Sequence, residues 1–159
     1  MRVSDIMSRP VITTPYDSSA ETAAQLMWDF DCGIIPVVDD QGRIAGVITD
    51  RDICMAAYTQ GKPLAAIPVA SAMSKAVAAC GIDELVEHVE LLMRANKVRR
   101  IPVVDADNRP IGIVAMNDIA RVAAHARRGG VDRQLVETLG AVCQPRGVLA
   151  IAANNVAAA

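Results

Sequence analysis

A block of about fifty residues occurs twice in this chain, at a constant offset of 66 positions and without a gap. Val3–Ile53 aligned on Val69–Ile119 gives 17 identities in 51 positions. Pro36-Val37-Val38-Asp39 matches Pro102-Val103-Val104-Asp105. Arg43, Gly46, Asp52 and Ile53 match Arg109, Gly112, Asp118 and Ile119. Upstream, Val3, Met7-Ser8, Val11, Asp17, Glu21 and Leu26-Met27 find the same residues 66 positions later. Self-similarity at a fixed period sets the architecture before any local propensity is weighed. Two copies are too few for a solenoid. They suit a pseudo-two-fold pair, in which each copy covers apolar surface that the other exposes.

Each copy reads in the same order. Ser18-Ser19-Ala20-Glu21 looks like a helix start, with Glu21 three after Ser18 as in a capping box. Ala20, Ala23, Ala24 and Met27 follow at helical spacing. In the second copy Asp83 can cap, and Val86, Val89, Leu92 and Met93 form the apolar stripe. A short strand comes next, Ile35–Val38 or Ile101–Val104. A polar turn follows at Asp39–Arg43 or Asp105–Arg109. A second strand, Ile44–Ile48 or Ile111–Val114, leads into a second helix at Asp50 or Asn117. A short turn between strands implies antiparallel pairing.

Thr13-Thr14-Pro15, a helix, Ile35-Pro36-Val37-Val38-Asp39, Gly42-Arg43 and Gly46-Val47-Ile48-Thr49-Asp50-Arg51-Asp52-Ile53 together resemble the CBS (cystathionine-β-synthase) domain. The doubled copy resembles a Bateman module, and the likeness covers roughly residues 1–125. It implies an α/β fold of two pseudo-two-fold related repeats, each a small sheet with two packed helices. The expected boundaries are 1–66 for the first repeat with its linker and 67–128 for the second. Residues 129–159 hold a C-terminal helix and a low-complexity tail. In that last part Val131, Leu135, Leu139 and Val142 recur at helical spacing after Gly129-Gly130. This amphipathic helix needs cover, from its own module or from a second subunit.

Composition narrows the functions. Hydrophobic residues make up 52% of the chain and aromatics only 3%, so the core is aliphatic. A net charge of −2 gives no general pull on nucleic acid or anionic membrane. Arg121, Arg127, Arg128 and Arg133 cluster near the Gly-Gly break without aromatic stacking partners. No apolar leader opens the chain and no run of about 18 apolar residues occurs, so a cytoplasmic protein is expected. Cys32, Cys54, Cys80 and Cys143 are scattered and read as reduced thiols. His88 and His125 have no metal-ligand spacing. No catalytic triad, P-loop or paired-carboxylate motif is present, and the expectation is a protein that is not an enzyme.

The chemistry concentrates at Thr49 and Asp52. Thr49 ends a strand and starts a helix, so its hydroxyl and the first-turn N–H groups face one small space that favours anions. A carboxylate such as Asp52 can accept both hydrogen bonds of a ribose diol. The same pair fits a capping box, which calls for no ligand. The CBS resemblance implies that Thr49 and Asp52 contact phosphate or ribose of an adenosine ligand: AMP, ADP or ATP, and after them NAD or S-adenosylmethionine. It also implies clefts between the copies. Cys80, Val98, Arg99, Arg100 and Ile101 would join Thr49, Arg51 and Asp52. Thr14, Cys32, Gly33 and Ile34 would join Asn117 and Asp118. Val98 and Ile101 would be apolar walls for adenine, and Arg99 and Arg100 would hold phosphates. As a bare sequence feature, Arg99-Arg100 is equally a charged device against edge pairing.

The second copy has Ala115 where the first has Thr49, so the two clefts are expected to be unequal. Asn117 can take over the cap there. The reading is a regulatory adenosine-nucleotide sensor, paired as a homodimer and acting on a protein partner. Its rival is a ligand-free scaffold for dimerisation and protein interaction.

Overall fold

The 66-residue offset is repeated in the backbone. The computed structural model describes residues 1–125 and 131–142. The first copy contains β1 (Thr14–Pro15), α1 (Ala20–Asp29), β2 (Ile34–Val38), β3 (Ile44–Thr49) and α2 (Asp50–Gln60). A one-turn helix α3 (Val69–Ala72) opens the second, followed by β4 (Cys80–Gly81), α4 (Val86–Asn96), β5 (Arg100–Val104), β6 (Pro110–Ala115) and α5 (Met116–His125). A final helix α6 spans Val131–Val142.

Each copy builds one three-stranded sheet, in the order β1-β2-β3 and β4-β5-β6. The expected antiparallel pair is there: Ile35 faces Ile48, Val37 faces Gly46, and a bulge lies between Val37 and Val38. Ile101 faces Val114 and Val103 faces Gly112 in the same register. The third strand, parallel and two residues long, had no signal in the sequence. A two-residue strand shows no period, and Pro15 breaks propensity at the edge where it is tolerated. The polar turns close as read. Asp39 Oδ1 accepts from the backbone N–H of Gln41 and Arg43, both at 2.9 Å, and Asp105 Oδ1 does the same for Asp107 and Arg109. These bonds, that to Arg43 first, hold the Asp39 carboxyl below its ordinary range.

The start of each copy packs on the other copy. Val3 belongs to the core of the second sheet, with Val86, Val89, Met93, Ile101, Val103 and Val114. Ile67 and Val69 belong to the core of the first, with Ala23, Ile35, Val37, Ile48 and Ile53. Burying each such side chain contributes about 1.5–3 kcal/mol, so this exchange is a large part of what joins the copies. Met7-Ser8 and Met73-Ser74 are the anchors. Val47 and Ser74 exchange backbone bonds at 3.0 and 2.9 Å, and Ile113 and Ser8 at 3.3 and 2.9 Å.

The same exchange corrects two expected caps. At α1 the cap is Ser19, whose hydroxyl accepts from Thr22 N at 3.2 Å. Ser18 turns away to Thr14 Oγ1 (2.6 Å) and Pro15 O (2.9 Å), so it makes no box with Glu21. At α4 the cap position is Leu85, without a side-chain bond. Asp83 stands two residues too early, where its carbonyl accepts from Arg2 Nη1. The opening N–H groups are met by backbone of the exchanged segments instead: Ala20 N donates to Ile67 O at 2.8 Å and Val86 N to Met1 O at 3.1 Å.

Helix α2 ends at Gly61, whose φ of 61° allows the left-handed cap that bonds Ala57 O. Helix α6 covers the outer side of α4 and α5. Leu135 and Val142 reach the second core, Thr138 is buried, and Glu137 pairs with Arg94 at 3.6 Å. Leu135 and Val142 of the expected stripe are thus covered within the chain, while Leu139 stays 40% exposed. The expected Gly-Gly break and the low-complexity tail lie outside the described residues, as does Cys143.

Candidate functional site

Thr49 caps α2 and locks Asp52 in place. Thr49 Oγ1 accepts from Asp52 N at 3.2 Å, while Thr49 N and Oγ1 donate to Asp52 Oδ2 at 2.9 and 2.7 Å. The capping box is therefore real. It uses one carboxylate oxygen only. Among the described residues no hydrogen bond reaches Asp52 Oδ1. Asp52 lines a cavity of about 200 Å³ with Met55, Ala56, Thr59 and Gln60 of α2, and with Ser71 and Ala72 of α3. The far wall thus comes from the opening segment of the other copy. Sequence reasoning missed Ser71 and Ala72. The nearest signal in the sequence is the repeated Met73-Ser74 that follows them, which packs on Gly46.

The second copy holds its carboxylate differently. Asp118 is 5% exposed. Its Oδ2 accepts from Ala115 N at 2.8 Å and its Oδ1 is paired with Arg121 Nη2. Asn117 does not cap α5; it stands one residue inside the helix, exposed to solvent. The backbone N–H to carboxylate bond is common to both copies; with no hydroxyl at Ala115, the second bond to Oδ2 is what Asp118 lacks.

Other expected residues divide into a surface set and an interior set. Arg51 and Arg99 are exposed, and Arg100 is half-buried at the start of β5. Arg100 crosses to the first copy: a methyl group placed on Gly33 would lie 3.5 Å from Arg100 Nη2 and 3.2 Å from Asp50 Oδ2. The structure thus brings Arg100, Gly33 and the first residue of α2 to one corner. Among the described residues no hydrogen bond or ion pair links Arg99 or Arg100 to Thr49 or Asp52.

Thr14, Cys80 and Ile101 are interior. Thr14 is fully buried with its hydroxyl on Ser18, and Ile101 is a fully buried core residue of the second sheet. Val98 packs against that same core, and Ile34 is buried opposite Thr49. The side chain of Ile101 faces its own core because residues alternate along β5, so it forms no adenine wall at the surface. Half-buried Cys32 packs against the first core, and partial burial raises its pKa.

Cys80 fills core space, and burial pushes its thiol up to about 12. A thiol normally near 9.0 that stays protonated when folded leaves stability unchanged below pH 9. Stability is then lost as pH rises from 9 toward about 12. Denaturant titrations at pH 8 and pH 11 should show this fall, and Cys80→Ala should remove much of it. Exposed Cys54 should alkylate at pH 8 while Cys80 stays protected until unfolding. His88 is exposed and pairs with Glu84 one turn away. Among the described residues no group of three or more His, Cys, Asp or Glu side chains is placed to hold a metal. No described helix is long and apolar enough to cross a membrane.

With this geometry in view, the comparisons with known proteins agree on the class. The sequence profile of the CBS domain matches residues 3–58 and again 69–125. The chain belongs to the CBS domain family, and it carries the domain as a pair. As a CBS pair it is a regulatory module. The CBS domain-containing protein YhcV of Bacillus subtilis is 36% identical over 118 residues, which cover 74% of this chain and 82% of YhcV. L-aspartate semialdehyde sulfurtransferase of Methanocaldococcus jannaschii is 34% identical over 120 residues; the match covers 76% of this chain but only 23% of that protein. Among solved structures, the CBS domain pair of the protein MJ0100 was crystallised with 5′-methylthioadenosine and S-adenosyl-L-methionine. It superposes with a TM-score of 0.72 at 32% identity, over 79% of this chain and 97% of that one.

Proposed function

We propose that this module binds an adenosine-containing ligand in the cleft at Asp52 and that the bound state changes its packing or its contacts with a protein partner. One observation carries the reading. Asp52 holds an unpartnered carboxylate oxygen at the first turn of α2, in a cavity whose two walls belong to different copies. Asp52 Oδ1 can accept from a ribose hydroxyl. Arg51 on the same helical turn, and Arg100 at the corner it shares with Asp50, offer cationic ground for a phosphate, or for the carboxylate of S-adenosylmethionine. A ligand bridging α2 and α3 favours one arrangement of the exchanged segments over another, and such differential affinity is what regulation requires. The ligands bound to the CBS pair of MJ0100 support the adenosine class.

A thermal-shift screen tests it. Binding to the native state raises apparent stability by mass action. One or more of AMP, ADP, ATP, NAD, S-adenosylmethionine and 5′-methylthioadenosine should raise the melting temperature. Silence from all of them at millimolar concentration would reject the sensor.

A second reading has its own observation. Helix α1 exposes Trp28 at 84% and helix α2 exposes Tyr58 at 81%, with Phe30 and Met55 also exposed nearby in sequence. Trp28 is not a core residue. In the second copy its place is taken by Arg94, which α6 engages through Glu137. The same position of the fold therefore already serves as a docking surface once. A homodimer through the uncovered face fits both readings, and without a ligand it leaves a dimeric scaffold. Light scattering should give twice the chain mass, falling to the monomer mass in Trp28→Glu/Tyr58→Glu. An unchanged mass in that variant would remove the face from the interface.

A further inference from the structure

We propose that Arg121 closes the second carboxylate position, so that each chain takes up one adenosine ligand, at Asp52. This rests on the adenosine reading above and assigns its stoichiometry.

Three residues decide each position, and they correspond exactly at the 66-residue offset: Thr49, Asp52 and Met55 in the first copy, Ala115, Asp118 and Arg121 in the second. In the first, Thr49 fixes the carboxylate by two bonds to a single oxygen and leaves the other oxygen unbonded. Met55 is 47% exposed one turn later and has no charge to offer. In the second, no hydroxyl is present and the carboxylate is almost fully buried. A buried carboxylate needs a counter-charge. Arg121, one turn later, supplies it on Oδ1, the oxygen that Asp52 leaves open. A ribose hydroxyl arriving at Asp118 would have to displace a charge-assisted bond and gain a neutral one. That exchange weakens binding on the order of 10- to 100-fold. Loss of the Thr hydroxyl and gain of the Arg act in one direction: the chain carries its own occupant at the second position.

Calorimetric titration of the full chain with the best ligand of the thermal-shift screen tests this. The wild type should bind one equivalent. Met55→Arg transplants the occupant to the first position at an exposed site, so the fold should keep its melting temperature. Its affinity should fall at least about tenfold. Arg121→Met with Ala115→Thr restores the first-copy set at the second position and should raise the count to two. Because that variant removes the counter-charge of the buried Asp118 carboxylate, Met55→Arg is the decisive arm. Wild-type affinity in Met55→Arg, or two equivalents in the wild type, would overturn the role of Arg121 while leaving the adenosine reading intact. Absence of binding in every protein, wild type included, would overturn the adenosine reading and this inference with it.

Discussion

Replacing Asp52 by alanine should lower affinity for the proposed adenosine ligand by roughly 100-fold, the loss expected when two charge-assisted bonds to a ribose diol disappear at about 1.5 kcal/mol each. Asp118→Ala leaves affinity within a few-fold, since Arg121 already occupies that carboxylate. Asp52 also belongs to the α2 capping box, so alanine costs about 1 kcal/mol of stability on its own. Asp52→Asn separates the two roles. An amide oxygen can still accept from Thr49 N, which keeps much of the cap, while the charge that strengthens the ligand bonds is gone. Binding should therefore fall sharply in Asp52→Asn while the melting temperature moves little. Isothermal titration of the three variants checks the order. Equal losses at Asp52 and Asp118 would contradict the assignment of the site.

Gly46→Ala has the largest expected effect on stability. A methyl group there would lie 2.7 Å from Met73 Sδ and 2.9 Å from the backbone carbonyl of Ser74. The sulfur can swing aside. The carbonyl cannot, because Ser74 is bonded to Val47 through both its N–H and its C=O. The added methyl must push the exchanged segment off the first sheet, at a cost of about 3 kcal/mol. For a chain of this size that lowers the melting temperature by roughly 10 °C. Gly112→Ala meets Met7 Sδ at 2.8 Å and Ser8 O at 3.1 Å and should behave alike, slightly milder. Gly61→Ala is the control. Its φ of 61° makes alanine strained, but nothing lies within 4 Å, so only about 1–2 kcal/mol is at stake. Calorimetric or circular-dichroism melts of the three variants measure the difference. Equal melting temperatures for Gly46→Ala and wild type would show that the copies do not depend on this contact.

Those glycines mark where sequence reasoning stopped. The offset of 66 residues located both copies, their helices, their hairpins and the unequal carboxylates, because periodicity and turn chemistry are local and Thr49-x-x-Asp52 carries its geometry in its spacing. The exchange of Val3 and Val69 between copies is a long-range fact. Nothing in the period of a short apolar segment says which sheet it joins. Thr14, Cys80 and Ile101 were carried to the site by alignment with a family pattern, which preserves chain position but says nothing about which way each side chain points. In the structure the strand alternation turns Ile101 inward, and Ser18 takes the Thr14 hydroxyl. The pairing of Arg121 with Asp118 was legible in principle as an i, i+3 pair on one helix face. The arginine cluster around the Gly-Gly break, without aromatic partners, gives no pointer to that pairing. The amphipathic character of α6 is legible in its spacing, but its packing on α4 and α5 depends on shape that no spacing encodes.

The most direct measurement is a crystal structure of the full chain grown with 5′-methylthioadenosine or AMP, whichever binds more tightly. The account predicts one ligand per chain, its ribose hydroxyls on Asp52 Oδ1 and its body between α2 and α3 near Ser71. A ligand seated on Asp118 instead, or a cleft at Asp52 left empty under saturating ligand, would contradict it.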